Sequence, residues 1–279
     1  MRAAKSLPAT IFITLLMGML SCGAAMAAGA DDLYRTRTTV TGQGETNRLI
    51  GFAVCLEQVL IKVSGAIRLE GDARLAPYKA KARDFVRSYD YRDQKLGKPK
   101  GDEQGTRDRP YDLTVEFDAA RINEMLVALG VKPWLEGRPV IAMFIEMEQS
   151  ARKFMVTSGE ARSELQRAAL MAAADRRGIQ IVLPTAAAAS ALPNGDLLTM
   201  PTRPLALVAA GLSGEVVVVG RLTWNDQDLG WANEWRLDLK RDSQRWQFRS
   251  VTFDEAFRRA IGDAAAILSG AAATAKQAN

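Results

Sequence analysis

The sequence predicts an α+β protein of two lobes, each a mixed β-sheet covered by helices, the second ending in an antiparallel three-strand meander and a C-terminal helix. Three observations predict it. Residues 45–63 carry apolar side chains at helical spacing between two strand-like stretches. Residues 140–147 are nearly all apolar, the mark of a strand covered on both faces, and a helix and a short strand follow them. Residues 215–251 hold three strand patterns joined by short turns, and a capped helix follows.

The elements come in order. Residues 33–40 are rich in Thr, Tyr and Val and read as a strand closed by Thr41-Gly42-Gln43-Gly44. In 45–63, Leu49, Ala53, Leu56, Leu60 and Val63 are flanked by Ile50, Val54, Val59 and Ile61, so more than half the helix circumference is apolar; Ser64-Gly65 ends it. Cys55 falls on the narrow polar side of that helix, where a small residue packs under a neighbouring segment. Glu57 lies inside the apolar arc and reaches out from its rim, because a buried ionised carboxylate must be paired or neutralised.

Residues 72–82 read as helix, 85–91 as strand, and 92–110 as a charged, Gly- and Pro-bearing hairpin loop. In 111–118, Tyr111, Leu113, Val115 and Phe117 face one way and Asp112, Thr114, Glu116 and Asp118 the other, so one sheet face is wet. Arg87 and Arg92 are the expected cross-strand partners of those acids. Asp118 caps a helix with Ile122, Met125, Leu126 and Leu129 as its buried stripe and Gly130 as its stop. Residues 133–139, bracketed by two prolines, form the boundary between a lobe at 31–135 and a second at 138–269; 270–279 is a fraying tail.

In the second lobe, Thr157-Ser158-Gly159-Glu160 has capping-box spacing and starts a helix to about Arg177, followed by a strand at 179–183. Residues 184–204 read as a long connection and 204–211 as a short helix. Thr252-Phe253-Asp254-Glu255 repeats the capping-box spacing and opens the last helix, whose Phe257, Ile261 and Ile267 cover the sheet.

Residues 1–27 have the three parts of a cleavable secretory signal: cationic Met1 to Lys5, an apolar run from Leu7 to Leu20, and Ala25-Met26-Ala27. As a helix the apolar run spans roughly 21 Å, short of the ~30 Å hydrocarbon core, so the mature chain is expected to be periplasmic and without a transmembrane anchor. Met19-Leu20-Ser21-Cys22 offers an alternative, a lipobox acylated on Cys22. Removal of 1–27 takes away Arg2 and Lys5, leaving 35 basic residues against 32 acidic, too even a balance for a nucleic-acid binder.

The chain holds no histidine and two cysteines, which excludes Ser-His-Asp, Cys-His and His-zinc chemistry as well as Cys-rich metal centres. Neither a cofactor nor a metal is expected. Glu146 and Glu148, on one side of a strand end, are the candidate catalytic pair of a carboxylate-dependent hydrolase. Trp224, Trp231 and Trp235 are a candidate sugar platform, although Trp231 and Trp235 share a face with Leu237 and Leu239 in a way that suits core packing.

Five segments, LEQVLIKVSG at 56–65, FVRSYDY at 85–91, YDLTVEFD at 111–118, LGVKPWLEGRP at 129–139 and VVVVGRL at 216–222, resemble a family of exported proteobacterial proteins of unknown function, DUF 2066. That family brings no catalytic residue to transfer. The expected function is a non-catalytic binding or assembly module of the envelope, its partner a protein or a glycan.

Overall fold

The computed structural model describes residues 30–97 and 109–272. Residues 1–29, which include the expected leader and Cys22, residues 98–108 of the expected hairpin loop, and the last seven residues lie outside the described residues. The elements are β1 (Arg35–Thr41), α1 (Glu45–Ser64), α2 (Ala76–Lys79), β2 (Val86–Asp93), β3 (Pro110–Phe117) and α3 (Ala119–Ala128), then β4 (Ile141–Gln149), β5 (Arg152–Met155), α4 (Glu164–Arg177), β6 (Ile181–Val182), α5 (Ala186–Ser190), α6 (Thr202–Gly211), β7 (Val216–Asn225), β8 (Gly230–Asp238), β9 (Ser243–Ser250) and α7 (Phe253–Leu268).

The first sheet has the order β1-β3-β2 and is antiparallel throughout, which leaves β1 and β2 as edges. One face carries the alternating Leu113, Val115 and Phe117, all buried beneath α1 and α3. The opposite face is hydrophilic, and the expected cross-strand ion pairs are there: Arg92 with Asp112, and Arg87 with Glu116 at 3.1 Å. Helix α1 approaches so closely that a Cβ on Gly51 would lie 2.5 Å from Leu113 Cδ2 and 2.9 Å from Val40 Cγ1. Its apolar arc is wider than the sheet that covers it, and Leu49, Ile50 and Val54 stay exposed. Asp118 accepts from the Arg121 amide at 3.1 Å and so caps α3 as expected.

Residues 72–82 form helical pieces rather than one helix, with 3-10 turns on either side of α2. Glu57 explains how they are held: its carboxylate accepts from the Gly71 amide at 2.8 Å and pairs with Lys79.

The second sheet is mixed, in the order β5-β4-β7-β8-β9, with β6 alongside β4. Strand β4 runs parallel to β6 and β7, and β7, β8 and β9 form the antiparallel meander. Both faces of β4 are covered: Ile141, Met143, Ile145 and Met147 pack toward α4 and α7, whereas Ala142 and Phe144 pack toward α6 and Leu197 to Met200. Thr252 accepts from the Glu255 amide at 3.2 Å, which starts α7 where the capping spacing places it. Helix α4 starts later than expected, at Glu164. Thr157 is buried, its hydroxyl donates to the Glu160 carboxylate at 3.0 Å and its amide donates to Ser163 Oγ, so a 3-10 turn precedes the helix. Residues 186–190, read as connection, form α5 with Thr185 as its cap. Among the described residues no helix is long and apolar enough to cross a membrane.

Candidate functional site

The chain between the two sheets is short, and one side chain dominates it. Arg138 Nη2 donates to the carbonyls of Lys62 at 2.7 Å and Val63 at 3.1 Å, in the last turn of α1. Nη1 donates to the carbonyls of Arg177 and Gly178, each at 3.1 Å, at the end of α4. Nε reaches the Trp134 carbonyl at 2.8 Å, and the guanidinium lies over the Trp134 ring at 4.3 Å. The last carbonyls of a helix have no partner within it and carry the negative end of its dipole. A planar cation with five N–H donors meets two such ends at once. Burial pushes the Arg138 guanidinium down to about 10. The Trp134 amide donates to the Val63 carbonyl at 2.8 Å, a second tie to α1.

This joint sets the spacing of a groove beside it. Five successive residues of the edge strand β1, Arg35 to Thr39, line a cavity of about 480 Å³ together with Gln58 and Lys62 of α1, Asp112, and Ala172, Asp175 and Arg176 of α4. Lys62 is buried, and its Nζ donates to the Arg35 carbonyl at 3.1 Å. Burial lowers the Lys62 ammonium pKa while Asp32 and Asp175 pull it back up. Four cations thus face two carboxylates, and Asp112 already accepts from both Arg92 and Gln94. A wider cavity of about 640 Å³ between α1, α4 and α7 balances its charges, with Arg176, Arg177, Arg258 and Arg259 against Glu57, Glu70, Glu255 and Asp263.

The residues singled out from sequence lie elsewhere. Glu146 and Glu148 share one side of β4, as the period of two requires, but Glu146 is buried between Lys153 Nζ at 2.8 Å and Arg221 Nε at 3.5 Å. Arg221 also pairs with Asp196. Both cations converge on Glu146 Oε1, so that oxygen is engaged within the sheet rather than presented to a substrate. The tryptophans are core. Trp235 is 1% exposed, with its ring over Gly220 and its edge toward Phe257 of α7 at 6.5 Å between centroids. Trp231 is also buried, edge-on to Trp224 at 5.3 Å, and Trp224 is half-buried with its indole N–H on Asp226. Of the three, only Trp224 keeps part of its surface exposed. Cys55 is wholly buried, a small residue packed under a neighbouring segment as expected; burial raises its thiol to about 11. Among the described residues no group of three or more Cys, Asp or Glu is placed to hold a metal ion.

Sequence reasoning passed over Arg138, Arg35, Arg37 and Arg176. The available signal was an Arg between two prolines at a boundary, and two Arg at a spacing of two on a strand.

A family model described as a domain of unknown function (DUF8605) matches residues 27–135, a stretch that includes β1 through α3. It bears out similarity to an uncharacterised domain over those residues, but it is a different family from DUF 2066, and the segment at 216–222 lies outside it. No curated protein matches the chain.

Proposed function

We propose that the chain is a periplasmic envelope protein, delivered by its leader, that works as a non-catalytic binding or assembly module through the groove between β1 and α4. The observation that carries this reading is the contrast in charge pairing. Glu146 is clamped by two cations, whereas Arg35, Arg37 and Arg176 line an open groove without an ion-pair partner among the described residues. Surface cations held beside a cleft and left unmatched favour an incoming acidic partner.

The test uses a photo-crosslinking residue in place of Gln58, on the groove wall, in cells expressing the full chain. A discrete adduct that disappears when Arg176 is changed to Glu supports the reading; no adduct from the groove overturns it. The double change Glu146→Gln with Glu148→Gln leaves the adduct and any deletion phenotype intact under a binding role. Loss of the phenotype with the adduct retained would point to hydrolysis instead. Mass spectrometry of the mature N-terminus fixes the form of delivery: a free Ala28 follows from signal cleavage, an acylated Cys22 from lipidation.

A further inference from the structure

We infer that the groove receives an extended acidic segment of a partner polypeptide, which adds to β1 as a further strand by pairing with the backbone of Arg37 and Thr39. This rests on the binding role proposed above and names the class of partner.

The backbone of β1 carries the argument. In an antiparallel pair, alternate residues direct both their N–H and C=O toward the neighbouring strand, and those between direct both away. The Gly42 amide donates to the Arg109 carbonyl at 2.8 Å at the end of the β1–β3 ladder. Val40, Thr38 and Thr36, at steps of two from Gly42, therefore face β3 across Tyr111, Leu113 and Val115. Arg35, Arg37, Thr39 and Thr41 turn outward. Two side-chain contacts agree with that phase: Lys62 Nζ takes the Arg35 carbonyl at 3.1 Å, and Asn47 Nδ2 takes the Thr41 carbonyl. The capped ends bracket Arg37 and Thr39, whose four outward amide and carbonyl groups have no further partner among the described residues.

The surroundings select the occupant. The outward edge opens into the groove, with α4 across it presenting the small Ala172 followed by Asp175 and Arg176. Its volume of about 480 Å³ falls within the range of ligand sites. Arg35 and Arg37 alternate with Thr36 and Thr38 along the strand, so a paired chain with acids at every second position meets both guanidinium groups. Arg176 and Lys62 add positive charge from the walls. Backbone pairing supplies affinity and the alternate side chains supply choice, as in other strand-addition sites. Nucleic acid fits less well, because none of the groove-lining side chains is aromatic and Asp175 faces inward. Edge arginines can also act purely as guards against pairing, which makes the opposite prediction.

The probe is a fluorescein-labelled decapeptide alternating Glu with Val, titrated with the mature chain in an anisotropy assay. Three companions are used: the same peptide N-methylated at every residue, a Lys-Val peptide, and oligothymidylate. Binding of the Glu-Val peptide, with at least a tenfold loss on N-methylation and none measurable for the Lys-Val peptide, is the expected result. Arg37→Glu should weaken it about tenfold, with the thermal melt unchanged because the side chain is exposed. Thr39→Pro removes an outward amide and should do the same; if that variant unfolds, Arg37→Glu and the N-methylated peptide still decide. Equal binding of the N-methylated peptide leaves only charge and overturns strand addition. No binding of the Glu-Val peptide, or preference for oligothymidylate, overturns the partner class. A groove crosslink formed in cells, together with no binding of the Glu-Val peptide by the purified chain, removes this inference alone, whereas absence of the crosslink removes the binding role itself.

Discussion

Arg138→Met is the sharpest test of how the two sheets are held together. Methionine keeps much of the aliphatic stem but none of the five donors that reach Lys62, Val63, Trp134, Arg177 and Gly178. A hydrogen bond to a charged group contributes about 1.5–3 kcal/mol when one partner is deleted. The five cannot simply be added, because carbonyls at helix ends recover water once the guanidinium is gone. Counting only the two short bonds, at 2.7 and 2.8 Å, at the lower figure gives about 3 kcal/mol. Each helix dipole adds about 0.3–1 kcal/mol at such a position. The cost of burying the cation, visible in its lowered pKa, acts against both. The expected loss is therefore about 3 kcal/mol, or roughly 6–12 °C in Tm for a chain of this size. Urea unfolding followed by tryptophan fluorescence and far-ultraviolet circular dichroism measures it. Arg138→Lys, with one ammonium in place of a five-donor fork, should recover less than half of the loss. A Met variant within about 1 kcal/mol of the parent, or a Lys variant equal to Arg, would refute the claim that the fork ties the two helix ends.

Gly220→Ala places a methyl 2.6 Å from Trp235 Cε3 and 2.8 Å from Cη2, so the indole must shift within a filled core; a loss of about 1–3 kcal/mol and an altered near-ultraviolet circular dichroism spectrum are expected. Cys55 should stay unreactive toward a disulfide reagent until denaturant is added, since burial both shields the thiol and raises it to about 11; rapid native-state labelling would contradict the packing of α1 on β1. Asp263, half-enclosed beside Arg177 and Arg259, has its carboxyl pKa raised by burial against the pull of both cations. The folded state then holds this proton to a higher pH than the unfolded chain, whose value is near 3.8, so the penalty is absent below that value and grows as pH rises through the folded pKa. Asp263→Asn should accordingly match the parent at acid pH and exceed it at pH 7 in urea titrations; a variant less stable at pH 7 would show that the arginine contacts outweigh burial.

Much of the architecture was legible because local chemistry and tertiary demand agree. Helix α1 carries its own period, and Gly65 takes the left-handed conformation that stops it, with φ of 70°. The alternation in β3 announced both its buried face and the acids that meet Arg87 and Arg92. Failures came where neighbours in space decide. Thr157 and Glu160 have capping spacing, yet they bond to each other because Thr157 is buried and its amide finds Ser163. Helix α5 is a run of alanines with no amphipathic period to reveal it. The candidate site depended on strand order. Nothing local says that β3, not β1, takes the centre of the first sheet, and only that order leaves Arg37 and Thr39 on an open edge.

The joint and the groove are consequently one device. The groove's floor belongs to the first sheet and its far wall, α4, packs on the second, so its width is no property of either alone. What holds α4 at that distance is the convergence of helix ends on Arg138, together with Gly178, where a Cβ would come within 2.7 Å of Leu33 Cδ2 and 3.2 Å of Lys62 Cε. Lys62 belongs to both structures: its carbonyl accepts from Arg138 while its ammonium caps the Arg35 carbonyl at the end of the open edge. Loosening the joint must therefore disturb the groove at its capped end. Arg138→Met should weaken binding of the Glu-Val peptide although Arg138 does not line the cavity, and should do so under conditions where both sheets remain folded by circular dichroism. An affinity unchanged in that variant would mean that the groove is held by α1 packing on α4 alone, and that the arginine serves stability without shaping the site.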